Sequence, residues 1–296
     1  MSHLSFSRGK ARAAGEHPVV EHDTWNYSPA KLPRASAIKP GEIRGVLPFD
    51  GVRNPSARSS TSQKVFLPYR TAANDWIPKI GIAESAAEAV VALEAVMSPD
   101  TYDVSFQPFA VGFRDEDGAQ RSYTHDLLIT FRNGHRRLVF VRNEASLRKP
   151  RTTREIQAIV AATPRRAADD MIVVDANDYT RQRRDNLMRM HHFVFHPDDE
   201  ADEALLEAAR SLRSFYFMKD LFPHAPVSQP RAFAACHRLI AQGALHANLD
   251  NVLWENSRLH LAANLKTAPA PSPRTDVSMR ASAGRDLSKQ QVGRAA

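Results

Sequence analysis

The chain has 296 residues, of which 43% are hydrophobic and 25% charged, an ordinary globular composition that excludes a wholly disordered or collagen-like chain. No run approaches the roughly 18 consecutive apolar residues of a spanning helix, so no membrane partner is expected. The polar, basic start lacks the apolar core of a secretory signal. The single cysteine, Cys236, forms neither an internal disulfide nor a zinc cluster, which fits a reducing cytoplasm. The net charge of +7 sits mainly at the ends: residues 1–60 and 266–296 each carry a balance of +4, which leaves the middle near neutral. Basic ends of this kind suit phosphates or acidic surfaces, or simply keep a chain soluble.

Residues 1–61 read as a flexible basic region, in which Trp25 and Tyr27 are isolated apolar points. Order is expected from Lys64, in KVFLPY. Residues 82–97 (IAESAAEAVVALEAVM) read as a helix, with apolar positions recurring at Ala86, Val90, Leu93 and Met97 and Pro99 as the stop. Strand-forming runs follow at 106–113 (FQPFAVGF) and 122–131 (SYTHDLLITF). Asn133-Gly134 then signals a hairpin into 136–143 (RRLVFVRN). The period changes at 152–162, a helix with Thr152 or Thr153 as its N-cap. MIVVD at 171–175 reads as a buried strand, 179–190 as a basic helix and HHFVFH at 191–196 as a last strand. The order implies an α/β sandwich with a mixed sheet.

A second unit is expected over 199–265. Residues 201–212 read as a helix and 215–221 as a short apolar segment. SQPRAFAACHRLIAQG at 228–243 reads as a helix with Ser228 as N-cap, Pro230 in its first turn and Gly243 at its end. Strand-like pieces at 252–254 and 259–261 flank WENS. Helices followed by a small hairpin describe a winged helix. Its apolar stripe leaves Arg231, His237, Arg238 and Gln242 as the candidates to meet DNA. The basic residues Arg181, Arg183, Arg184 and Arg189 are candidates to track phosphates. Residues 266–296, rich in Pro, Ser, Arg and Ala, read as a disordered basic tail.

The stretch 123–142, YTHDLLITFRNGHRRLVFVR, resembles the nuclease domain of TnsA-type transposon endonucleases, a branch of the PD-(D/E)xK fold. In that family a Tyr-x-Pro-Asp strand leads through a hairpin to a strand of the form Glu/Gln-x-Lys, and an acid from the preceding helix completes the site. Tyr123 and Asp126 match, with His125 in place of the proline. Glu84 is the helix acid, Glu88 is equally placed by spacing, and QPF at 107–109 matches a run that opens the first strand. The resemblance covers roughly 62–196 and implies a restriction-endonuclease-like core over 62–198, followed by the appended winged helix. It also implies DNA and a transposase-like protein as partners.

Phosphodiester hydrolysis in such a site uses Mg²⁺-like ions held by carboxylates, here Glu84 and Asp126 if the site is active. The third strand departs from the pattern. Phe140 stands where the family has Glu or Gln, and Arg142 where it has Lys. Phenylalanine offers no oxygen, and arginine stays protonated but grips a phosphate through two parallel bonds. The expectation is a nuclease fold without its metal centre, hence no cofactor and no cutting. The alternatives are a rearranged active site that recruits Glu144, which shares parity with Phe140 and Arg142, and a scaffold that contacts protein only. His191, His192 and His196 read as polar residues at a strand end rather than as metal ligands.

Overall fold

The computed structural model describes residues 36–57 and 63–263. The expectations for Trp25, Tyr27 and the tail at 266–296 lie outside the described residues. The first ordered unit is an antiparallel hairpin of β1 (Val65–Tyr69) and β2 (Lys79–Ala83). Helix α1 (Ala86–Met97) follows. Ile82 and Ala83, expected in that helix, belong to β2 instead, where Ile82 pairs with Phe66. The helix starts only where Ser85 supplies a cap: its hydroxyl accepts the Glu88 N–H at 3.2 Å, and Glu88 in turn accepts the Glu84 N–H at 2.9 Å. Helix α1 is buried on nearly every face, since Ala87, Ala89, Val90, Val91, Ala92, Leu93 and Ala95 are all in the core. Its run of small and apolar residues suits a central helix.

The mixed sheet has four strands in the order β3 (Thr101–Phe106), β6 (Leu127–Phe131), β7 (Arg136–Arg142) and β8 (Asp170–Asp175). The first three are antiparallel neighbours and β8 runs parallel to β7. Gly134, at φ 87°, makes the tight turn between β6 and β7. A separate hairpin, β4 (Ala110–Arg114) with β5 (Gln120–Thr124), is inserted between β3 and β6. Each of the two long expected strands therefore breaks in two. The first breaks at Gln107, a non-glycine residue at φ 49°, and the second at His125-Asp126. The crossover from β7 to β8 carries a single turn, α2 (Glu144–Leu147), and helix α3 (Pro150–Ala162). Lys149, not Thr152 or Thr153, is the N-cap of α3, because Pro150 in the first turn needs no N–H partner.

Helix α4 (Arg181–Phe195) is capped by Thr180 and absorbs most of HHFVFH, so the expected last strand is its final turn. Helices α5 (Asp199–Ser211) and α6 (Gln229–Ala241) follow. A minimal antiparallel pair, β9 (Leu245–His246) and β10 (His260–Leu261), comes last among the described residues. The expected strand at 252–254 is absent, and Leu245 and His246 take its place as partner of β10.

Three apolar clusters hold these elements. One lies between α1 and the sheet and includes Val104, Leu127, Ile129, Val139 and Val141. A second gathers α5, α6 and the closing hairpin around Leu205, Met218, Leu239 and Leu245. The third packs Phe140 with Val111, Phe113, Ile156 and Ile159 beneath α3. Helix α4 belongs to two of them, through Leu187 in the first and Met190 in the second. Among the described residues no helix is long and apolar enough to cross a membrane.

Part of the region expected to be flexible is built into this core. Leu47 bridges to Lys79, Phe49 packs on the first cluster, and the buried Lys79 ammonium holds Asp50 at 2.7 Å. Val52 donates its N–H to the Gln107 carbonyl at 2.9 Å. Residues 36–57 thus form a strap across the sheet edge, attached by a few backbone bonds and one apolar side chain. Such anchoring has no periodic signature in a sequence.

Candidate functional site

A cleft of about 850 Å³ opens where the N-terminus of α1, the β5–β6 junction and the C-terminal end of β7 meet. The break at His125-Asp126 creates it. With the strand interrupted, the Asp126 carboxylate turns back to accept the Val141 N–H at 3.0 Å instead of projecting from a regular ladder. Asp126 is 3% exposed, and burial pushes its carboxyl up despite the nearby Arg142. The Arg142 guanidinium stands 3.7 Å from Asp126 and lies over the Phe140 ring at 4.2 Å. Tyr123 packs on Phe140 at 5.1 Å; its buried hydroxyl finds no hydrogen-bond geometry but is turned toward Asp126.

His125 stands where the resemblance has proline, and it is fully buried. Its Nε2 lies 3.1 Å from the Thr163 hydroxyl, and that hydroxyl already donates to the Ile159 carbonyl at 2.7 Å. Thr163 therefore accepts from His125, which places the ring proton on Nε2 and leaves Nδ1 buried without a partner. Burial lowers this imidazole to about 4, so His125 is a neutral strut and not a titrating group. Gln107 is a second strut. It donates its N–H to the Asp126 carbonyl at 3.0 Å and accepts from Arg53 Nε at 3.1 Å.

The strap delivers Arg53 into the cleft, where its guanidinium pairs with Glu84. Lys64 lies 3.5 Å from the same carboxylate. Burial alone would raise the Glu84 carboxyl, but the bonds and charges of Arg53 and Lys64 together hold it below its ordinary range. Glu88 differs. It is 4% exposed, and burial together with the charge of Asp126 pushes its carboxyl up to about 7. The acid from the helix that faces Asp126 in the interior is thus Glu88, while Glu84 sits at the cationic rim. Arg184 completes that rim, held by the Tyr179 and Ala176 carbonyls, each at 2.8 Å.

The other expected residues fall elsewhere. Glu144 does not line the cleft: β7 ends at Arg142, Asn143 caps α2, and Glu144 pairs with Arg148. The face of α6 expected to meet DNA is turned inward. Arg238 is 3% exposed and gives its Nε to Asp202 at 2.7 Å. His237 is fully buried and donates to the Phe233 carbonyl at 2.9 Å. Arg231 forms two bonds of 2.8 Å to Asp198 and one of 2.6 Å to Glu200. Gln242 is the half-buried C-cap of the helix. Arg231 and Arg238 lock α6 to the start of α5, so the expected outward pair of arginines is instead engaged by acids. An acidic first turn on α5 attracts arginines across a helix pair, and a single-helix wheel does not register that.

The donors do not fit a divalent metal centre. Glu84 is neutralised by Arg53 and Lys64, one oxygen of Asp126 is taken by a backbone N–H, and Phe140 supplies no oxygen. Among the described residues no three acidic, histidine or cysteine side chains are grouped to hold an ion. The arrangement is a cleft rimmed by Arg53, Arg142 and Arg184 over the buried carboxyls of Glu88 and Asp126. Sequence reasoning missed Arg53, because nothing in its unpatterned segment points to the site. Glu88 was legible as the fourth member of a Ser-x-x-Glu capping box. Compared with protein-family models and with curated proteins, the chain shows no match.

Proposed function

We propose that the chain is a TnsA-like nuclease-fold protein whose cleft grips the phosphodiester backbone of DNA without cutting it, alone or beside a transposase-like partner. The observation that carries this reading is the convergence in one cleft of Glu84 just before α1, Glu88 in its first turn, Asp126 just before β6 and Arg142 at the end of β7. That is the relative placement the family resemblance implies. The order of helix, antiparallel meander, crossover helix and parallel strand supports it as well. The lack of cutting follows from the donor set. A cleft that offers Arg142 and Arg184, with Arg53 engaged by Glu84, and no free pair of carboxylates binds a phosphate but does not polarise a water. Contact with DNA rests on these guanidinium groups and not on α6.

The test has two parts. Purified full-length protein with Mg²⁺ or Mn²⁺ should leave supercoiled DNA intact. It should bind duplex DNA more weakly as salt rises, and Arg142→Ala should flatten the slope of log affinity against log salt by about one. Metal-dependent nicking that disappears in Asp126→Asn would replace this reading with an active, rearranged endonuclease. No DNA binding at low salt would leave the protein-contact scaffold as the reading.

A further inference from the structure

A second pair of side chains lies outside the cleft, on the closing hairpin. His246 and His260 are directly opposite each other in the β9–β10 ladder, so both rings stand on the same face. Both are exposed, and their centroids are 5.2 Å apart with an interplanar angle of 37°. The opposite face of the hairpin is anchored: Leu245 and Leu261 are buried in the second cluster, and the Ala262 N–H reaches the Ala244 carbonyl at 3.0 Å. The backbone beneath the two rings is therefore fixed by the core.

We propose that His246 and His260 form a two-imidazole site for a borderline divalent metal ion of the zinc class. With a Zn–N bond of about 2.0–2.1 Å and a tetrahedral angle at the metal, two imidazole centroids lie about 5 Å apart, which is the spacing found here. Among the described residues no hydrogen bond engages either ring, so a nitrogen of each is available to a ligand. No third protein ligand is grouped with them among the described residues, so water completes the shell. Bound metal would close the loop of residues 247–259 at its base.

The other close pair, His192 and His196, is a weaker claimant. Its centroids are 4.8 Å apart, but His196 Nδ1 is already used by the His192 carbonyl at 2.8 Å.

The experiment is calorimetric titration of untagged full-length protein with ZnCl₂ in a non-chelating buffer near pH 7.5, paired with thermal melts with and without Zn²⁺. One saturable site is expected. His246→Ala and His260→Ala should each weaken it by about tenfold or more, while His192→Ala leaves it unchanged. The hairpin variants should melt like the wild type without metal, because neither ring belongs to the core, and should lose the rise in melting temperature that Zn²⁺ gives the wild type. Absence of a saturable site, undiminished binding in both hairpin variants, or loss confined to His192→Ala would each overturn the assignment.

Discussion

Glu88→Gln separates the charge of the buried carboxyl from its role as a cap. Glutamine's amide oxygen can still accept the Glu84 N–H, and its NH2 can donate to the Ser85 hydroxyl, in place of the bonds of 2.9 Å and 3.1 Å that the two Glu88 oxygens accept. It cannot ionise. Burial, with the charge of Asp126 added, lifts the Glu88 carboxyl from its ordinary 4.5 to about 7. A folded-state value above the unfolded one means that the native protein binds the extra proton. The stability this confers is complete below about pH 4.5 and is lost as pH rises toward 7. The span corresponds to roughly 3 kcal/mol. Asp126 is raised in the same direction by its own burial, so the wild-type slope contains both carboxyls and the variant removes one share. Urea unfolding followed by circular dichroism at several values between pH 5 and 8 reads the difference. Near pH 5 the two proteins should nearly coincide. At pH 8 the variant should be more stable by roughly 1–3 kcal/mol, a rise in Tm of a few degrees or more for a domain of this size. A variant that keeps the full wild-type pH slope, or is the less stable protein at pH 8, would refute the reasoning.

Two further substitutions probe the scaffold. Arg238→Ala strands the half-buried Asp202 without its partner at 2.7 Å and should cost about 3–5 kcal/mol in urea unfolding, whereas an exposed helix arginine would cost almost nothing. Gly51→Ala drives a methyl to within 2.3 Å of the Phe49 ring and 2.6 Å of the Phe106 carbonyl. It should cost about 1–3 kcal/mol or lift the strap, seen as new proteolytic cleavage within residues 36–57.

Much of the sheet was readable from residue order. The Asn-Gly turn, the apolar strand-forming run of β7 and the short apolar run of β8 each report a local rule, and each stands at its expected place. The misreadings share a cause. His125-Asp126 and Gln107 sit inside strand-like composition, and only the buried bonds they make break the ladder. HHFVFH has strand formers, but the stripe of α4 that faces α6 keeps it helical, a tertiary preference overriding a local one. The triplet of Glu84, Asp126 and Arg142 was legible only through the resemblance to the TnsA-type pattern, and the three do line one cleft. Arg53 was not, because it reaches the cleft from a strap that has no period. The face of α6 was misjudged because its two arginines meet acids at the start of α5 and His237 is buried.

The double membership of α4 changes what counts as a part of this protein. Leu187 and Met190 are one helical turn apart, and each is a core residue of a different apolar cluster. Asn186, on the same helix, is fully buried and holds the Leu249 and Asn251 carbonyls at 2.8 Å and 2.7 Å and the Leu253 N–H at 3.1 Å. A fragment ending near residue 198 would carry a helix with one greasy side stripped and three hydrogen bonds of Asn186 unmade. The C-terminal helices alone would lack the wall they lean on. The break in composition near residue 199 is therefore a seam in the text of the chain and not a place where it can be divided, and the two halves should be inherited, expressed and lost together.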